Sequence, residues 1–220
     1  MYNISTSCQI PPLGNIYKKY FGETLGTFVE IGAYDGESFS NTSCLADSRW
    51  SGVYVEPVYD FYIKCKERHK NNNIQVLNFA VGQEEKEIDL FVGEAITTTL
   101  AAQVARYSEI DWSRHVVFSN SKCKQITLES ILRQSNIPIG FELLVIDVEG
   151  AEDAVVRSFD IDVWRPKMMI VELEDGHPSF ANYKDHVDNH RCTRQYILNA
   201  GYSEVYRDTI NTVFIHNTIC

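Results

Sequence analysis

Long apolar runs are missing from this 220-residue sequence, and this excludes one class of protein. No stretch approaches the ~20 apolar residues that a membrane-spanning helix requires. Residues 1–19 are polar, contain a Pro-Pro pair and have no apolar segment of the kind found in secretory signals. We therefore expect a soluble, cytoplasmic protein with no membrane partner.

Positive charge is also scarce, which argues against nucleic acid as a partner. The chain has 20 Lys and Arg against 30 Asp and Glu, a formal net charge of −10 at pH 7. Affinity for nucleic acid comes largely from Lys and Arg side chains that neutralise phosphates. A polynucleotide substrate is therefore disfavoured.

Closely spaced cysteines are lacking as well. The six cysteines are scattered along the chain, without a C-x-x-C pair or a local cluster of Cys and His. Such a distribution supports neither a zinc site nor a disulfide framework. In a cytosolic setting the expected state of these residues is the reduced thiol.

What the sequence does contain is a strand that ends in a glycine turn at residues 27–36. An apolar, β-branched run reaches the carboxylate of Glu30 and then turns at Gly32 and Gly36, before a helix-compatible segment at 37–47. In an open α/β sheet, ligands bind at the carboxyl end of a strand, where the next helix presents free backbone N–H groups. We predict a ligand site at this turn, with an ordinary strand-to-helix turn as the alternative.

The glycine spacing decides which ligand to consider. A dinucleotide fingerprint requires G-x-G-x-x-G, whereas here three residues separate the glycines and acids flank the turn at Glu30 and Asp35. These acids would repel a pyrophosphate. They suit S-adenosylmethionine, which has a sulfonium, an ammonium and a ribose diol.

Strands and helices alternate along most of the remaining chain. Apolar runs predict strands at 52–57, 74–82, 141–146, 168–174, 202–207 and 212–216, a short edge strand at 86–93, and helices at 16–21, 59–70, 126–136 and 188–200. This alternation predicts an α/β domain with a mainly parallel sheet, helices on both faces and a closing antiparallel hairpin. Residues 1–25 form a lead with a short helix, and 26–220 form a single domain. His69, which lies among basic residues, is expected to be exposed.

Residues 94–125 interrupt this rhythm and are predicted to be rich in loops. A connection of this length in a compact domain is usually functional or mobile, so we predict a substrate-facing insertion, with a variable surface loop as the alternative. Together with the 176–189 loop, this segment holds aromatic and basic side chains that suggest a sugar or an anionic small molecule as substrate: Tyr107, Trp112, Arg114, Phe180 and Tyr183.

Acidic residues follow several of the predicted strands. Glu56 comes 20 residues after the second glycine of the first turn, the distance at which an acid holds ribose hydroxyls in nucleotide-binding α/β units. Asp147 and Glu149 follow the strand at 141–146, and Glu172 ends the next one. Since the carboxyl ends of parallel strands meet at one edge of the sheet, these acids are expected to share that edge.

Six segments in this order resemble the FkbM-family methyltransferases. They are Val29–Gly36, Tyr54–Pro57, Asn78–Gly82, Ile126–Leu132, Ile146–Glu152 and Ile170–Glu174, and the resemblance extends over about residues 26–216. It implies a class I S-adenosylmethionine-dependent methyltransferase (Rossmann-like) fold. That fold has a seven-stranded, mostly parallel sheet whose last strand is antiparallel. The family usually methylates hydroxyl groups of small molecules or sugars.

The resemblance also implies roles for individual residues. The methionine part of the cofactor would be lined by Glu30, Gly32, Ala33, Asp35 and Gly36. Glu56, next to Pro57, would hold the ribose, Ala80 and Val81 would flank the adenine, and Asp147 would face the methyl-transfer site. The sequence departs from the common pattern at Tyr34, where many class I loops have glycine, and at Gln83, where an acid is common.

A hydroxyl group needs a base to become a good nucleophile, so a carboxylate near the transferred methyl would assist the reaction. The candidates are Asp147, Glu149 and Glu172. The same acids could instead hold Mg²⁺, which prefers oxygen ligands, or cap helices and form ion pairs. For Glu174 and His177 we expect a structural role.

Two rival functions remain open at this stage. An NAD-dependent oxidoreductase could use a similar sheet, although the broken glycine pattern argues against it, and a non-catalytic binding module could retain the fold without chemistry. The methyl acceptor, the need for a metal and the oligomeric state do not follow from the sequence.

Overall fold

The computed structural model describes Ile4 and residues 8–219. The strands are β1 (Thr27–Ile31), β2 (Ser51–Val55), β3 (Ile74–Leu77), β4 (Ala80–Val81), β5 (Lys86–Val92), β6 (Ser119–Ile126), β7 (Leu143–Ile146), β8 (Met168–Glu172), β9 (Tyr202–Arg207) and β10 (Asn211–His216). The α-helices are α1 (Leu13–Phe21), α2 (Ser43–Asp47), α3 (Tyr59–Arg68), α4 (Ala101–Glu109), α5 (Leu128–Gln134), α6 (Glu152–Val156), α7 (Ile161–Trp164) and α8 (Lys184–Asn199).

In the described part of the chain, seven strands form one sheet in the order β3-β2-β1-β7-β8-β10-β9. The strands from β3 to β8 in this order are parallel, whereas β10 runs antiparallel to both β8 and β9. This arrangement confirms the predicted class I fold. It places the carboxyl ends of β1, β2, β7 and β8 side by side at one edge.

Alternate residues of the central strands build a core on each face of the sheet. Val29 and Ile31 of β1 face a cluster that includes the buried side chains of α5 to α8. Phe28, their neighbour in β1, faces the opposite cluster, to which α1 contributes Tyr17 and Phe21. Because successive side chains of a strand point to opposite faces, a five-residue strand serves both cores. Helix α1 ends before Gly22, as predicted, and packs on the core.

The strand predicted at 74–82 is divided between two sheets. Residues 74–77 form β3 in the main sheet, but the Asn78 side chain donates hydrogen bonds to the carbonyl oxygens of Glu56 (2.8 Å) and Pro57 (2.9 Å) and directs the chain away. Strand β4 then joins a second sheet in the order β4-β6-β5. The strand predicted at 86–93 is therefore β5 of this second sheet, and its predicted place at the edge of the main sheet was wrong.

The segment 94–125 is more regular than predicted. It contains α4, whose buried Gln103 and Tyr107 are four residues apart, and most of β6, which pairs with all seven residues of β5. Strand β6 is polar and largely exposed, so it lacks the apolar alternation from which a strand is predicted. Pairing with β5, and not burial, makes it a strand.

The helix predicted at 37–47 is also shorter than expected. Helix α2 begins only at Ser43, because the Asp35 carboxylate accepts hydrogen bonds from the backbone N–H groups of Glu37 and Ser38 (2.9 and 2.7 Å) and holds them in a turn. Within the described residues, no helix combines the length and apolarity needed to cross a bilayer.

Candidate active site

A cavity of about 450 Å³ lies where the carboxyl ends of β1, β2, β7 and β8 meet. This volume is in the range of small-molecule sites, and the position is where open α/β sheets bind ligands. Residues of the turns after β1 and β2 form one wall, here called the β1–β2 side: Glu30, Gly32, Ala33, Tyr34, Glu56 and Pro57. Four acids after β7 and β8 form the facing wall, the β7–β8 side: Asp147, Glu149, Glu172 and Glu174.

Gly32 joins the two sides through a close backbone contact. Its φ is +89°, and a Cβ atom there would lie 1.7 Å from the carbonyl oxygen of Asp147. The N–H groups of Gly32 and Ala33 both donate to the carbonyl of Val55 at the end of β2 (2.9 and 3.1 Å). Only glycine combines this backbone conformation with this approach.

Glu30 is a buried acid beneath the first turn. Its carboxylate accepts a hydrogen bond from the Thr42 hydroxyl and a longer one from Ser40 Oγ (3.4 Å). Burial raises its pKa to about 7. A positive group of a ligand would favour the ionised carboxylate there.

Glu56 is held by the turns on either side of it. One carboxylate oxygen accepts from the Tyr34 N–H (2.9 Å) and the other from the Val58 N–H (2.7 Å), while burial raises the pKa of the group to about 8. Tyr34 has a φ of +49°, in the left-handed region that favours glycine, and its ring packs on Phe61 at 4.4 Å between centroids. The departure from glycine at this position is thus accommodated by the Glu56 bond and by aromatic packing.

Two residues predicted to line the cofactor do not line the cavity. The Asp35 carboxylate turns back to bind the N–H groups of Glu37 and Ser38 and the Ser38 hydroxyl. Gly36 packs against α3, where its carbonyl lies 2.8 Å from His69 Nε2. The expectation that His69 is exposed was wrong, since the ring is 2% exposed. Asp35 and Gly36 support the turn from behind.

The apolar part of the cavity lies between the two sheets. Pro57, Ala80 and Val81 line it together with the rings of Phe61 and Phe79. Ala80 and Val81 are buried because β4 pairs with β6 behind them. A flat, apolar ring would fit between these side chains.

On the β7–β8 side, carboxylate oxygens of Asp147, Glu149 and Glu172 all lie within 4.8 Å of one another. Burial raises the pKa of Asp147 to about 6 and the pKa values of Glu149 and Glu172 well above their usual range. Of the three, Asp147 therefore ionises first. The Tyr107 hydroxyl donates to the Glu149 carboxylate, so α4 of the 94–125 segment supports this wall.

Glu152 has a structural role in this region. One of its oxygens accepts from the N–H groups of Val148 and Gly150 (both 3.1 Å), and the other accepts from His190 Nε2 (3.1 Å). His190 Nδ1 accepts the backbone N–H of Glu174 (2.8 Å), so the ring proton is on Nε2. This chain of bonds ties α8 to the ends of β7 and β8.

Glu174 lines the cavity, although the sequence analysis expected it to have a structural role. It is 5% exposed, and burial raises its pKa to about 9. Its Oε2 atom lies 3.3 Å from His186 Nε2. The spacing of Glu172 and Glu174 could have predicted this position, because side chains two residues apart at the end of a strand point to the same side. His177 also lines the cavity.

The 94–125 segment contributes to the cavity in part. Glu94, Ile96, Thr97 and Trp112 are among its lining residues. Arg114 is not, and forms an exposed ion pair with Asp111 (3.1 Å). Phe180 and Tyr183 pack with Tyr107 in a small apolar cluster behind the wall. Among the described residues of these loops, His177 lines the cavity, but no Lys or Arg side chain does, so the aromatic and basic side chains that suggested an anionic substrate contribute only in part.

Comparisons with known proteins agree with this geometry. Residues 30–204 match the family described as the methyltransferase FkbM domain. No curated protein matches the chain. Among solved structures, the fold is similar to methyltransferase FkbM from Methylobacillus flagellatus KT, with a TM-score of 0.52 and 14% identity over 87% of this chain and 44% of that one. The chain thus spans less than half of that relative's length.

A second similar structure is an O-methyltransferase from Bacillus cereus in complex with SAH, with a TM-score of 0.53 and 13% identity over 97% of this chain and 84% of that one. At such identities the two structures establish the fold. The match over residues 30–204 covers most of the sequence and includes the turn after β1 and the acids after β7 and β8. The chain therefore belongs to the FkbM methyltransferase family.

Proposed function

We propose that the protein is an S-adenosylmethionine-dependent methyltransferase that transfers the methyl group to a hydroxyl oxygen of a saccharide or another small molecule. The observation that carries this proposal is the pairing of two differently built walls in one cavity. The β1–β2 side offers acids and apolar contacts suited to the cofactor. The β7–β8 side offers a carboxylate of raised pKa suited to a base.

The residues of the β1–β2 side fit the cofactor chemically. Each Glu56 oxygen accepts one backbone N–H and retains a lone pair for a ribose hydroxyl. Glu30 supplies a negative charge for the ammonium or sulfonium. The apolar walls at Pro57, Ala80 and Val81 suit the adenine ring. When bound, the cofactor supplies an electrophilic methyl group on sulfur.

Asp147 is the residue best suited to be the base. A general base works best when its pKa lies near the working pH, and burial raises the pKa of Asp147 to about 6. At pH 7 its carboxylate is largely ionised, whereas burial raises the pKa values of Glu149 and Glu172 well above their usual range. The acceptor hydroxyl would give its proton to Asp147 as its oxygen bonds to the methyl carbon, and the carbon–sulfur electron pair would remain on sulfur. The walls align these atoms for in-line displacement.

Ligand titration with thermal unfolding tests the cofactor. A ligand at 100 times its dissociation constant stabilises the native state by ~2.7 kcal/mol, which raises the unfolding midpoint visibly. We expect such a rise with S-adenosylmethionine and S-adenosylhomocysteine and none with NAD. A rise with NAD alone would favour the oxidoreductase, and no rise with any of the three would favour a non-catalytic module.

Asp147→Asn tests the base. We expect turnover to fall by about 100-fold or more, with unchanged affinity for S-adenosylhomocysteine, because the amide cannot accept the proton. Turnover is followed as S-adenosylhomocysteine release with a panel of saccharides and polyols, with and without EDTA. Asp111→Asn, at an exposed position that does not itself line the cavity, is the matched control. Full activity of Asp147→Asn would refute the role, and loss of activity in EDTA would indicate a metal-assisted reaction.

A further inference from the structure

We propose that the methyl acceptor carries a cationic nitrogen, an ammonium or a guanidinium, which binds to Glu172 and Glu174 on the β7–β8 side of the cavity. The identification of this ligand as the methyl acceptor rests on the proposed function. The binding site itself rests on the geometry of the wall.

The charge of the cavity wall is one-sided. Among the described residues that line it, seven are acids and none is Lys or Arg: Glu30, Glu56, Glu94, Asp147, Glu149, Glu172 and Glu174. The proposed cofactor has a single net positive charge and would engage Glu30 and Glu56. The four acids of the β7–β8 side can ionise toward a second positive group that enters the cavity, and no lining Lys or Arg among the described residues would repel it.

Two of these acids have buried oxygen atoms without hydrogen-bond partners. Glu172 is 7% exposed and Glu174 is 5% exposed, yet Oε2 of each has no partner within the described residues. Buried polar atoms are almost always hydrogen-bonded, and leaving one unpaired is costly. Both residues line the cavity, so a ligand that donates N–H groups can bind to their carboxyl groups once these turn toward it.

No Lys or Arg side chain of the described residues pairs with these oxygens. The basic group nearest to Glu174 is His186, whose Nε2 lies 3.3 Å away without forming a hydrogen bond. Burial lowers the pKa of His186 to about 3, so the ring is neutral. Arg106, on the neighbouring helix, pairs with Asp185, and Arg194 of α8 pairs with Asp175 and Glu204. The wall therefore retains its affinity for an external cation.

The entrance adds a surface that suits the same ligand. Trp112 and Tyr34 line the cavity, and aromatic faces attract cations. The Trp112 indole N–H donates to Ser179 Oγ at 3.3 Å, which orients the ring. His177, the remaining basic side chain of the wall, has its pKa lowered by burial and does not repel a cation.

Binding of a cation should release protons. Burial raises the pKa of Glu174 to about 9, so this group is protonated in the empty cavity at pH 7, and burial also raises the pKa of Glu172 well above its usual range. A cationic nitrogen favours the carboxylate form, and the displaced protons go to the buffer. This release distinguishes cation binding to the wall from adsorption to surface acids, whose carboxylates are already ionised.

The experiment is calorimetric titration of the full chain, free and saturated with S-adenosylhomocysteine, with probes that share a four-carbon chain. The probes are butane-1,4-diamine, which carries two positive charges, butane-1,4-diol, which is uncharged, and succinate, which carries two negative charges. Magnesium chloride serves as a metal probe. We expect the diamine to bind at least tenfold more tightly than the diol, with proton release detected in buffers of different ionisation enthalpy, and succinate not to bind.

Glu174→Gln should weaken diamine binding about tenfold and reduce the proton release. Glu67→Gln is the matched control and should change neither, because Glu67 of α3 forms an exposed ion pair with Lys70. If Glu174→Gln does not fold, as judged by circular dichroism, Glu172→Gln replaces it, and the proton release of the wild-type chain still tests the inference.

The results separate this inference from the proposed function. If the diol binds as tightly as the diamine in both the free and the saturated protein, the inference of a cationic acceptor is wrong. The proposed methyltransferase function still stands in that case, provided that S-adenosylhomocysteine binds. Tight binding of magnesium without diamine binding would overturn it in favour of a metal site. Diamine binding without S-adenosylhomocysteine binding would support the cation site and contradict the proposed function.

Discussion

The two sides of the cavity are built on different principles. On the β1–β2 side, Glu56 is matched by two backbone N–H groups, and the turn at Gly32 is bonded to the end of β2. On the β7–β8 side, Glu172 and Glu174 each keep a buried oxygen that forms no hydrogen bond within the described residues. The polar groups of the first side are thus matched within the protein, whereas we propose that a ligand binds those of the second.

The difference shows where specificity is to be expected. Polar groups that already have hydrogen-bond partners within the protein can position a ligand with little reorganisation. This suits a cofactor that all members of a family share. Buried groups without partners penalise every ligand that leaves them unpaired, so they discriminate strongly between candidates. The acceptor should therefore be selected on the β7–β8 side.

The largest effect is expected where the two sides meet. Gly32→Ala would place a Cβ atom 1.7 Å from the Asp147 carbonyl oxygen, so β1 and β7 must separate. We expect chemical denaturation to show a loss of about 3–5 kcal/mol in the free energy of unfolding, and calorimetry to show no binding of S-adenosylhomocysteine. Gly140→Ala isolates backbone strain, because φ there is +72° with no atom within 4 Å, and should cost about 1–2 kcal/mol. Equal losses in the two variants would show that the close contact is unimportant.

A smaller effect should be confined to the β1–β2 side. Glu56→Ala removes the proposed ribose ligand and leaves the Tyr34 and Val58 N–H groups without their partner. We expect the affinity for S-adenosylhomocysteine to fall about 100-fold, since hydrogen bonds to both ribose hydroxyls are lost and each contributes ~0.5–1.5 kcal/mol. Glu174→Gln on the opposite side should change this affinity by less than about threefold. Unchanged affinity in Glu56→Ala would refute the ribose assignment.

The smallest effect concerns the dependence of the free energy of unfolding on pH. Burial raises the pKa of Glu56 to about 8 and of Glu174 to about 9, so the folded state holds protons that the unfolded state loses near pH 4.5. Stability should therefore fall as the pH rises from 6.5 to 9, by up to about 1.4 kcal/mol per pH unit for each group. His186, with its pKa lowered to about 3, acts in the opposite direction only below about pH 6.5.

Thermal unfolding at a series of pH values measures this slope. We expect the midpoint to fall by at least about 5 °C over this range, given roughly 3 °C per kcal/mol for a chain of this size. Glu174→Gln should flatten the curve and Glu67→Gln should not. A midpoint that rises between pH 6.5 and 9 would contradict the assignment of protonated acids to the empty cavity.

Prediction from sequence was most successful where a local pattern determines the structure. The apolar runs ending in Glu30, Glu56 and Asp147 predicted three strands with acids at one edge of the sheet, and in the structure all three acids line one cavity. Prediction from sequence failed where a residue or strand is placed by a contact partner that is distant in the sequence. His69 was expected to be exposed, but it is buried against the Gly36 carbonyl, and the polar strand β6 exists through its pairing with β5.

By itself, the sequence determined the order of strands and helices, the α/β class and the acids at the strand ends, because hydrophobic periodicity and glycine turns act over a few residues. Only the tertiary structure decided that Asp35 and Gly36 support the turn from behind, that Glu174 joins the wall, and that α8 supplies His186 and His190. These outcomes depend on contacts between residues far apart in the chain, and on which polar atoms remain unpaired once the chain is packed.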